Sequence, residues 1–349
     1  METNNSPLTL AELWAYACCP YRYFWRYVAR IAPAQTARGL VEATVRQASS
    51  TYYGKGEVPQ GPYATRGGDD LVQCVGRTWR EMVREWGCAQ ETWDLLVDFA
   101  TRRARVLEPF VSGRVTKRDG TRYKVPEMSK KYERRAREAG LPQLGAQLDE
   151  RLANAPVRAD EDYSLARAFS DSVEIASRST WPGVNAVVGA DLPYEVELTD
   201  GHTLEGRAEL VTRAAGREVN VEVHDYDRPV CLPVALLRRD LRVVAGLHAQ
   251  SREWAGVRSV VYRHMRSGAS VSIRRPPGKG RLLTALVGVA AGIRHHVYVP
   301  RLAVQSRECL SCPFQTLCTD GPDVLDTLDP TLLAEIGILV VTQEHEEGG

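Results

Sequence analysis

Four cysteines at opposite ends of the chain constrain the fold more than any other feature of the sequence. Three lie close together near the C-terminus as Cys309-x2-Cys312-x5-Cys318, and a further candidate, Cys19, lies near the N-terminus. Three thiols in so short a span can hold one face of a metal centre, but a tetrahedral thiolate site needs a fourth ligand. If Cys19 supplies it, one inorganic centre ties the two ends of the chain together.

The ligand pattern leaves two kinds of centre open. A zinc ribbon usually draws its ligands from two separate Cys-x2-Cys pairs, whereas this chain has one such pair and an adjacent Cys18-Cys19. The pattern therefore favours a [4Fe-4S] cluster over zinc. Cys18 is expected to be a small buried residue beside the ligand, with an exchange of roles between Cys18 and Cys19 as the alternative. Cys74, Cys88 and Cys231 are expected to be structural.

Composition indicates a soluble globular protein. The chain has 349 residues, of which 44% are hydrophobic and 26% charged, enough for one large domain with insertions or for two domains. A net charge of +1 excludes a uniformly basic surface but allows a local basic groove. Eight cysteines are too few for a disulfide scaffold, and we recognise neither a signal peptide nor an apolar stretch long enough for a membrane. We therefore predict a cytoplasmic protein with no membrane association.

The residue pattern changes from helical to strand-like near Trp181. Thr9 and Glu12 have the spacing of a capping box at the start of a helix that runs to Cys19. The other predicted helices are 21–31, 35–53, most of 69–177, 234–251 and 282–296. The predicted strands are 187–188, 194–198, 204–211, 219–223, 257–264 and 269–273, with hairpin turns at Asp200-Gly201 and Ala215-Gly216.

This order predicts an α/β (α+β) fold with a mixed sheet and a large helical insertion. We divide the chain into an N-terminal helical segment that carries the first cluster cysteine, a helical insertion, an α/β core and a cysteine-rich clasp with a C-terminal tail. The corresponding ranges are 1–60, 61–180, 181–300 and 301–349. The insertion is rich in arginine and lysine. We expect these residues to form a solvent-exposed helical face, and the alternative is a groove that binds phosphates.

The combination of Cys19-Pro20-x-x-Tyr23, a strand meander, a helix and the C-terminal cysteines resembles the RecB-type branch of the PD-(D/E)XK nuclease superfamily. Within it, the pattern is most similar to the iron–sulfur group, which includes CRISPR-associated exonucleases and the nuclease domain of the AddB helicase subunit. The resemblance implies a restriction-endonuclease-like core, with Cys19, Cys309, Cys312 and Cys318 forming an iron–sulfur clasp. It covers both ends of the chain and the segment 185–250.

An active member of this superfamily uses two carboxylates to hold Mg²⁺ or Mn²⁺ and a lysine to orient the attacking water. The first carboxylate follows a glycine as Gly-x-x-Asp, and here Gly206-Arg-Ala-Glu209 places a glutamate there. The second belongs to Asp-Tyr-Lys, and here Asp225-Tyr226-Asp227 places a carboxylate in the lysine position. The resemblance implies Glu209 and Asp225 as metal ligands and Glu209, Asp225 and Asp227 as a degenerate catalytic set, because Asp227 adds repulsion between like charges.

Two further family positions also differ. The helix after the core normally carries Gln-x3-Tyr, and here Arg242 and Gly246 occupy those positions. The family also has an upstream Gly-x3-His motif. Here Gly39 matches the glycine, but Ala43 occupies the histidine position. These departures predict that hydrolysis has been lost.

A second alignment frame uses Glu222-Val-His224 on the same strand. It places a carboxylate and an imidazole on the opposite face of the strand from Asp225. In a strand meander we expect that face to be exposed to solvent.

Three functions follow from these observations. The first is a DNA-handling adaptor or subunit in repair, recombination or defence, with Arg207, Arg228 and Arg242 contacting phosphates and a larger protein complex as partner. The second is an active metal-dependent nuclease that uses Glu209 and Asp225 on DNA ends or single strands. The third is a structural partner protein that binds no nucleic acid, with the helical insertion as its interface.

Overall fold

The protein has a mixed α/β fold, as predicted. The computed structural model describes residues 7–30, 36–53, 69–111, 125–157, 163–177, 181–198, 200–214, 218–226, 240–252, 254, 256–274 and 280–295. Within these residues ten α-helices and one mixed sheet of six strands are present, which confirms the α+β character. The predicted domain boundaries at 60/61, 180/181 and 300/301 fall at or beside residues outside the described set and stay predictions.

The helices follow the predicted order. They are α1 (Leu10–Cys18), α2 (Pro20–Tyr23), α3 (Ala37–Tyr53), α4 (Asp69–Glu85), α5 (Gln90–Val111), α6 (Val125–Glu138), α7 (Leu141–Arg151), α8 (Leu165–Ser177), α9 (Leu241–His248) and α10 (Gly280–Arg294). A π-helical turn, Phe24–Val28, continues α2, and a 3₁₀ turn, Val184–Ala186, precedes the first long strand. The strands are β1 (Leu8–Thr9), β2 (Val187–Glu197), β3 (Thr203–Arg213), β4 (Glu218–Asp225), β5 (Gly256–His264) and β6 (Ser270–Arg274).

The chain divides into two compact units. The first comprises 1–34, 196–206 and 278–349, and the second comprises 35–195 and 207–277. In the first unit, β1 pairs in parallel with the start of β3 through Leu8 and Leu204. The capping box of α1 is formed as predicted, since the Thr9 hydroxyl accepts from the Glu12 N–H while the Glu12 carboxylate accepts from the Thr9 N–H at 2.7 Å.

The second unit contains a helical core and the main part of the sheet. Helices α3, α4, α5, α7 and α8 enclose one apolar cluster, in which the ring of Phe169 packs edge-on against Trp79 and Trp93. In the sheet, β3 and β4 are antiparallel, β4 and β5 are parallel, and β5 and β6 are antiparallel. Helix α9 connects β4 to β5 in sequence and packs on both.

Strand β4 is buried on both faces. Its residues Val221 to Asp225 are each at most 6% exposed, although polar and apolar side chains alternate among them. Parallel pairing with β5 and a helical cover are typical of strands that are buried on both sides. The strand therefore carries charged side chains into the interior, where each must find a partner.

The hairpin turn at Gly201 is formed as predicted, with a φ of 80° that only glycine adopts readily. The predicted turn at Ala215-Gly216 lies outside the described residues, but the Ala214 N–H donates to the Glu218 carbonyl at 3.0 Å across it. Among the described helices, none combines the length and the apolar character that a bilayer crossing requires.

Candidate functional site

The predicted first carboxylate, Glu209, lies where β3 and β4 separate. The last registered pair of their ladder is Leu210 with Glu222. Just beyond this pair, the Glu209 carboxylate accepts a hydrogen bond from the backbone N–H of His224, so a side chain replaces a ladder partner. The same carboxylate also forms an ion pair with Arg46 of α3. One oxygen of Glu209 therefore contacts Arg46 and the other accepts from His224. Arg46 also donates to Glu42 at 2.8 Å.

Glu222 and His224 form a buried charged network on one face of β4. Arg263 of β5 donates to both oxygens of Glu222, at 2.9 and 3.0 Å, and His224 Nε2 lies 3.0 Å from Glu222. The imidazole packs edge-on against the ring of Trp181 and its Nδ1 lies 3.7 Å from Glu209. Burial alone raises the pKa of Glu222, but the hydrogen bonds from His224 and Arg263 outweigh it and hold that pKa below its ordinary value.

The expectation that this face is exposed to solvent is wrong. Glu222 and His224 are each only 3% exposed. The expectation assumed a meander with one wet face, whereas β4 pairs in parallel with β5 and is covered on this side by Trp181 and the Tyr53 region.

Asp225 lies at the end of β4, where it accepts a hydrogen bond from the hydroxyl of Tyr262. Nη2 of Arg242 lies 3.5 Å from the same carboxylate. Asp240 is the N-cap of α9 and accepts from the Arg242 backbone at 2.9 Å and from its guanidinium at 3.0 Å. Burial lowers the pKa of Arg242, but the carboxylates of Asp240, Asp225 and Glu209 outweigh it and raise the pKa above its ordinary value. Arg242 is therefore a fixed cation between the N-terminus of α9 and the end of β4.

Tyr226 follows directly and is 4% exposed. Its hydroxyl has no hydrogen-bond partner among the residues that the structure describes, and burial raises its pKa. A buried hydroxyl without a partner costs about 1–3 kcal/mol. The next two residues of the predicted site, Asp227 and Arg228, lie outside the described residues.

The described carboxylates do not fit a divalent metal as they are arranged. Metal ligands need free lone pairs directed at one point, but Glu209 accepts from Arg46 and His224, and Asp225 accepts from Tyr262 beside Arg242. The described part of the chain also contains no group of three or more histidine, cysteine, aspartate or glutamate side chains that could hold a metal ion. The positive charge at these carboxylates comes from guanidinium groups.

The other predicted site residues are distributed as follows. Arg207 donates to both carboxylate oxygens of Asp191, at 2.7 and 2.8 Å, and its side chain is 58% exposed. Cys19 is half-buried at the junction where α1 ends and α2 begins. Cys309, Cys312 and Cys318 lie outside the described residues, so the iron–sulfur clasp stays a prediction.

Sequence reasoning missed the residues that neutralise the site. Arg46 lies three positions after Ala43, one helical turn beyond the expected histidine, and is the residue of α3 that reaches Glu209. Arg263 and Tyr262 lie on β5, and no spacing rule links them to β4, because the parallel register that brings them together is a tertiary feature. Asp240 had a usable signal, since an aspartate just before an apolar helix is a typical N-cap.

Comparison with known proteins adds little to this geometry. No family profile and no curated protein matches the sequence. A solved structure titled "Crystal structure of SSO0001" aligns with 18% identity over 37% of this chain, at a TM-score of 0.25. The alignment spans 58% of that protein's own length. A similarity at this level supports no conclusion about fold or function.

Proposed function

We propose that the protein has a RecB-type, PD-(D/E)XK-like core and acts in DNA processing as a nucleic-acid-binding adaptor or subunit that does not cleave. One observation carries the proposal: the two carboxylates expected to hold the catalytic metal each lie beside an arginine of the protein itself. Glu209 pairs with Arg46, and Asp225 lies 3.5 Å from Arg242. Arg46 lies one helical turn beyond the position of the family's histidine, and Arg242 occupies the position of its glutamine.

Charge and rigidity favour this assignment over a metal centre. Arg242 is held by three hydrogen bonds to Asp240, which fix its guanidinium beside Asp225 before any ligand arrives. A divalent ion would have to displace this cation against its hydrogen bonds to Asp240, or lie beside it against repulsion between like charges. A guanidinium remains protonated at neutral pH and cannot serve as a general base. Arg242 therefore supports the structure as a counter-ion and does not replace the missing lysine.

We propose that a [4Fe-4S] cluster on Cys19, Cys309, Cys312 and Cys318 joins the N- and C-terminal segments. Support comes from the ligand spacing and from the position of Cys19 at the break between α1 and α2, where its side chain is half-buried. When bound, such a cluster would supply a covalent link between distant segments, and no step of nucleic-acid binding requires its redox chemistry.

The alternative is an active Mg²⁺- or Mn²⁺-dependent nuclease. One observation favours it: Glu209 accepts from the backbone N–H of His224, the residue before Asp225, so both carboxylates lie at the same end of β4. Ligand exchange at that point would convert the arginine-bound carboxylates into metal ligands. The two proposals differ in what Asp225 does, which makes them separable by experiment.

The test uses the full-length protein purified without oxygen and labelled single- and double-stranded DNA in the presence of Mg²⁺ or Mn²⁺. We expect binding that weakens as salt concentration rises, with the DNA left intact. Cleavage that is abolished by Asp225→Ala would establish the alternative. Failure to bind any DNA at low salt, together with co-purification of a protein partner, would instead indicate a structural subunit.

A further inference from the structure

Three arginines from three separate elements surround the ring of Tyr163. The guanidinium carbons of Arg38, Arg167 and Arg266 lie 4.7, 4.9 and 5.5 Å from the ring centroid. Arg38 belongs to α3, Arg167 to α8, and Arg266 to the turn between β5 and β6. We call these four residues together with Asp171 the Tyr163 cluster.

Buried contacts hold the centre of the Tyr163 cluster rigid. Tyr163 is 2% and Asp171 is 5% exposed, and the Tyr163 hydroxyl donates to Asp171 at 2.5 Å. The other oxygen of Asp171 pairs with Arg103 at 2.7 Å, and Arg266 donates to Asp171 at 2.5 Å. Burial raises the pKa of Asp171, but its arginine neighbours and the Tyr163 hydroxyl outweigh this and lower that pKa. The carboxylate therefore stays charged and fixes Arg266 against the ring.

The outer part of the Tyr163 cluster faces solvent. Arg38 and Arg167 are exposed, whereas Arg266 is half-buried. A ring face attracts cations, and the planar donor geometry of an exposed arginine matches an anion with several oxygens.

The Tyr163 cluster is joined to the nuclease-like site through the backbone. Nε of Arg266 donates to the carbonyl of Tyr226 at 2.8 Å, and Tyr226 directly follows Asp225. The Tyr163 cluster and the end of β4, where Asp225 lies, are therefore neighbours in the fold.

We propose that the Tyr163 cluster is a phosphate-binding site for the nucleic-acid backbone, in which Arg38 and Arg167 contact the phosphodiester and Arg266 positions it relative to Asp225. This inference rests on the proposed nucleic-acid binding and adds a location to it. Neither Arg38 nor Arg167 was among the phosphate-binding residues expected from the sequence.

The test measures binding of a fluorescein-labelled single-stranded DNA by anisotropy over a series of salt concentrations, with the full-length protein. The variant is Arg38→Gln/Arg167→Gln. The matched control is Arg80→Gln/Arg84→Gln, which removes the same charge from exposed positions of α4. Two lost phosphate contacts should reduce the slope of log K against log[salt] by about 1.4, since each contact on a single strand contributes about 0.7. We expect the affinity near 0.1 M salt to fall roughly tenfold, because the variant loses two charge-assisted contacts.

The control variant should bind as the wild type does, and Arg38→Lys/Arg167→Lys should recover the wild-type salt slope because it keeps both charges. If the wild type binds DNA and the Gln variant binds equally well with an unchanged slope, the Tyr163 cluster is not the phosphate site, while the proposed function stands. If the wild type binds no DNA at low salt, both proposals fall. Thermal unfolding of each variant confirms that it is folded before binding is compared.

Discussion

Replacement of Arg263 by methionine removes the cation that neutralises Glu222 in the interior of the sheet. Arg263 contacts both oxygens of Glu222 at 2.9 and 3.0 Å, and the two side chains are 10% and 3% exposed. Removing one partner of a buried ion pair typically costs about 3–5 kcal/mol, because the other charge stays buried without compensation. His224 remains as a partner of Glu222 at 3.0 Å. We therefore expect a loss near the lower limit, about 3 kcal/mol.

The assay is urea unfolding followed by tryptophan fluorescence, which reports on Trp181 beside His224. Arg258→Met is the matched control, because Arg258 lies on the same strand with an exposed side chain. We expect it to change the free energy of unfolding by less than about 0.5 kcal/mol, as is usual for surface positions. In a Glu222→Gln background, Arg263→Met should cost much less than it does alone, because no buried charge is left behind.

The pH dependence of the Arg263→Met variant follows from the pKa of Glu222. In the wild type the pKa of Glu222 is lowered. The charged Glu222 therefore contributes stability above the ordinary glutamate pKa, and this contribution is lost as pH falls through the lowered pKa. Without Arg263, its hydrogen bond and its charge no longer lower this pKa, so the pKa of Glu222 is higher in the variant than in the wild type. The variant's deficit should therefore shrink from pH 7.5 to pH 5. An equal cost in the Glu222→Gln background, or a deficit that does not depend on pH, would refute this explanation.

Two further predictions concern packing and the metal clasp. Gly246→Ala should destabilise the protein by about 1–3 kcal/mol in urea unfolding, because a Cβ there would lie 2.9 Å from Val260 Cγ2. Gly76→Ala is the control, because nothing lies within 4 Å of the atom that it adds. Equal stabilities of the two variants would contradict the close packing at Gly246. Cys19→Ser should lower the iron and acid-labile sulfide content of protein prepared without oxygen, whereas Cys18→Ser should not, because only one of the two thiols completes the cluster. Stoichiometric zinc in the wild type, or an unchanged iron content in Cys19→Ser, would contradict the assignment.

The order of helices and strands could be predicted from the sequence because it depends on local signals. The capping box at Thr9, the turn at Gly201 and the change of periodicity near Trp181 are each set by neighbouring residues, and the structure forms all three. Burial of the second unit's central strand could not be read from the same signals. Alternation of apolar and polar residues over 221–224 is typical of a strand with one solvent-exposed face. Here the strand pairs in parallel with β5 and both of its faces are buried, so the polar side chains lie in the interior.

The candidate site was predicted in part for a similar reason. Motif spacing identified Glu209, Asp225 and Arg242, and the structure places Arg242 within 3.5 Å of Asp225. Spacing could not reveal Arg46 or Arg263, because each reaches its carboxylate across a long stretch of sequence through tertiary packing. Arg46 pairs with Glu209 and Arg263 with Glu222, so the sequence alone could not show which cations these two carboxylates contact.

The central claim is that Arg46 and Arg242, and not a divalent ion, neutralise Glu209 and Asp225. Titration of the anaerobically prepared protein with Mn²⁺, followed by the electron paramagnetic resonance signal of the free ion, tests it most directly. We predict that the wild type and Asp225→Asn leave the free Mn²⁺ signal equal, because neither offers an open pair of carboxylates. Stoichiometric Mn²⁺ binding by the wild type that is lost in Asp225→Asn would contradict the claim and establish a metal centre at this site.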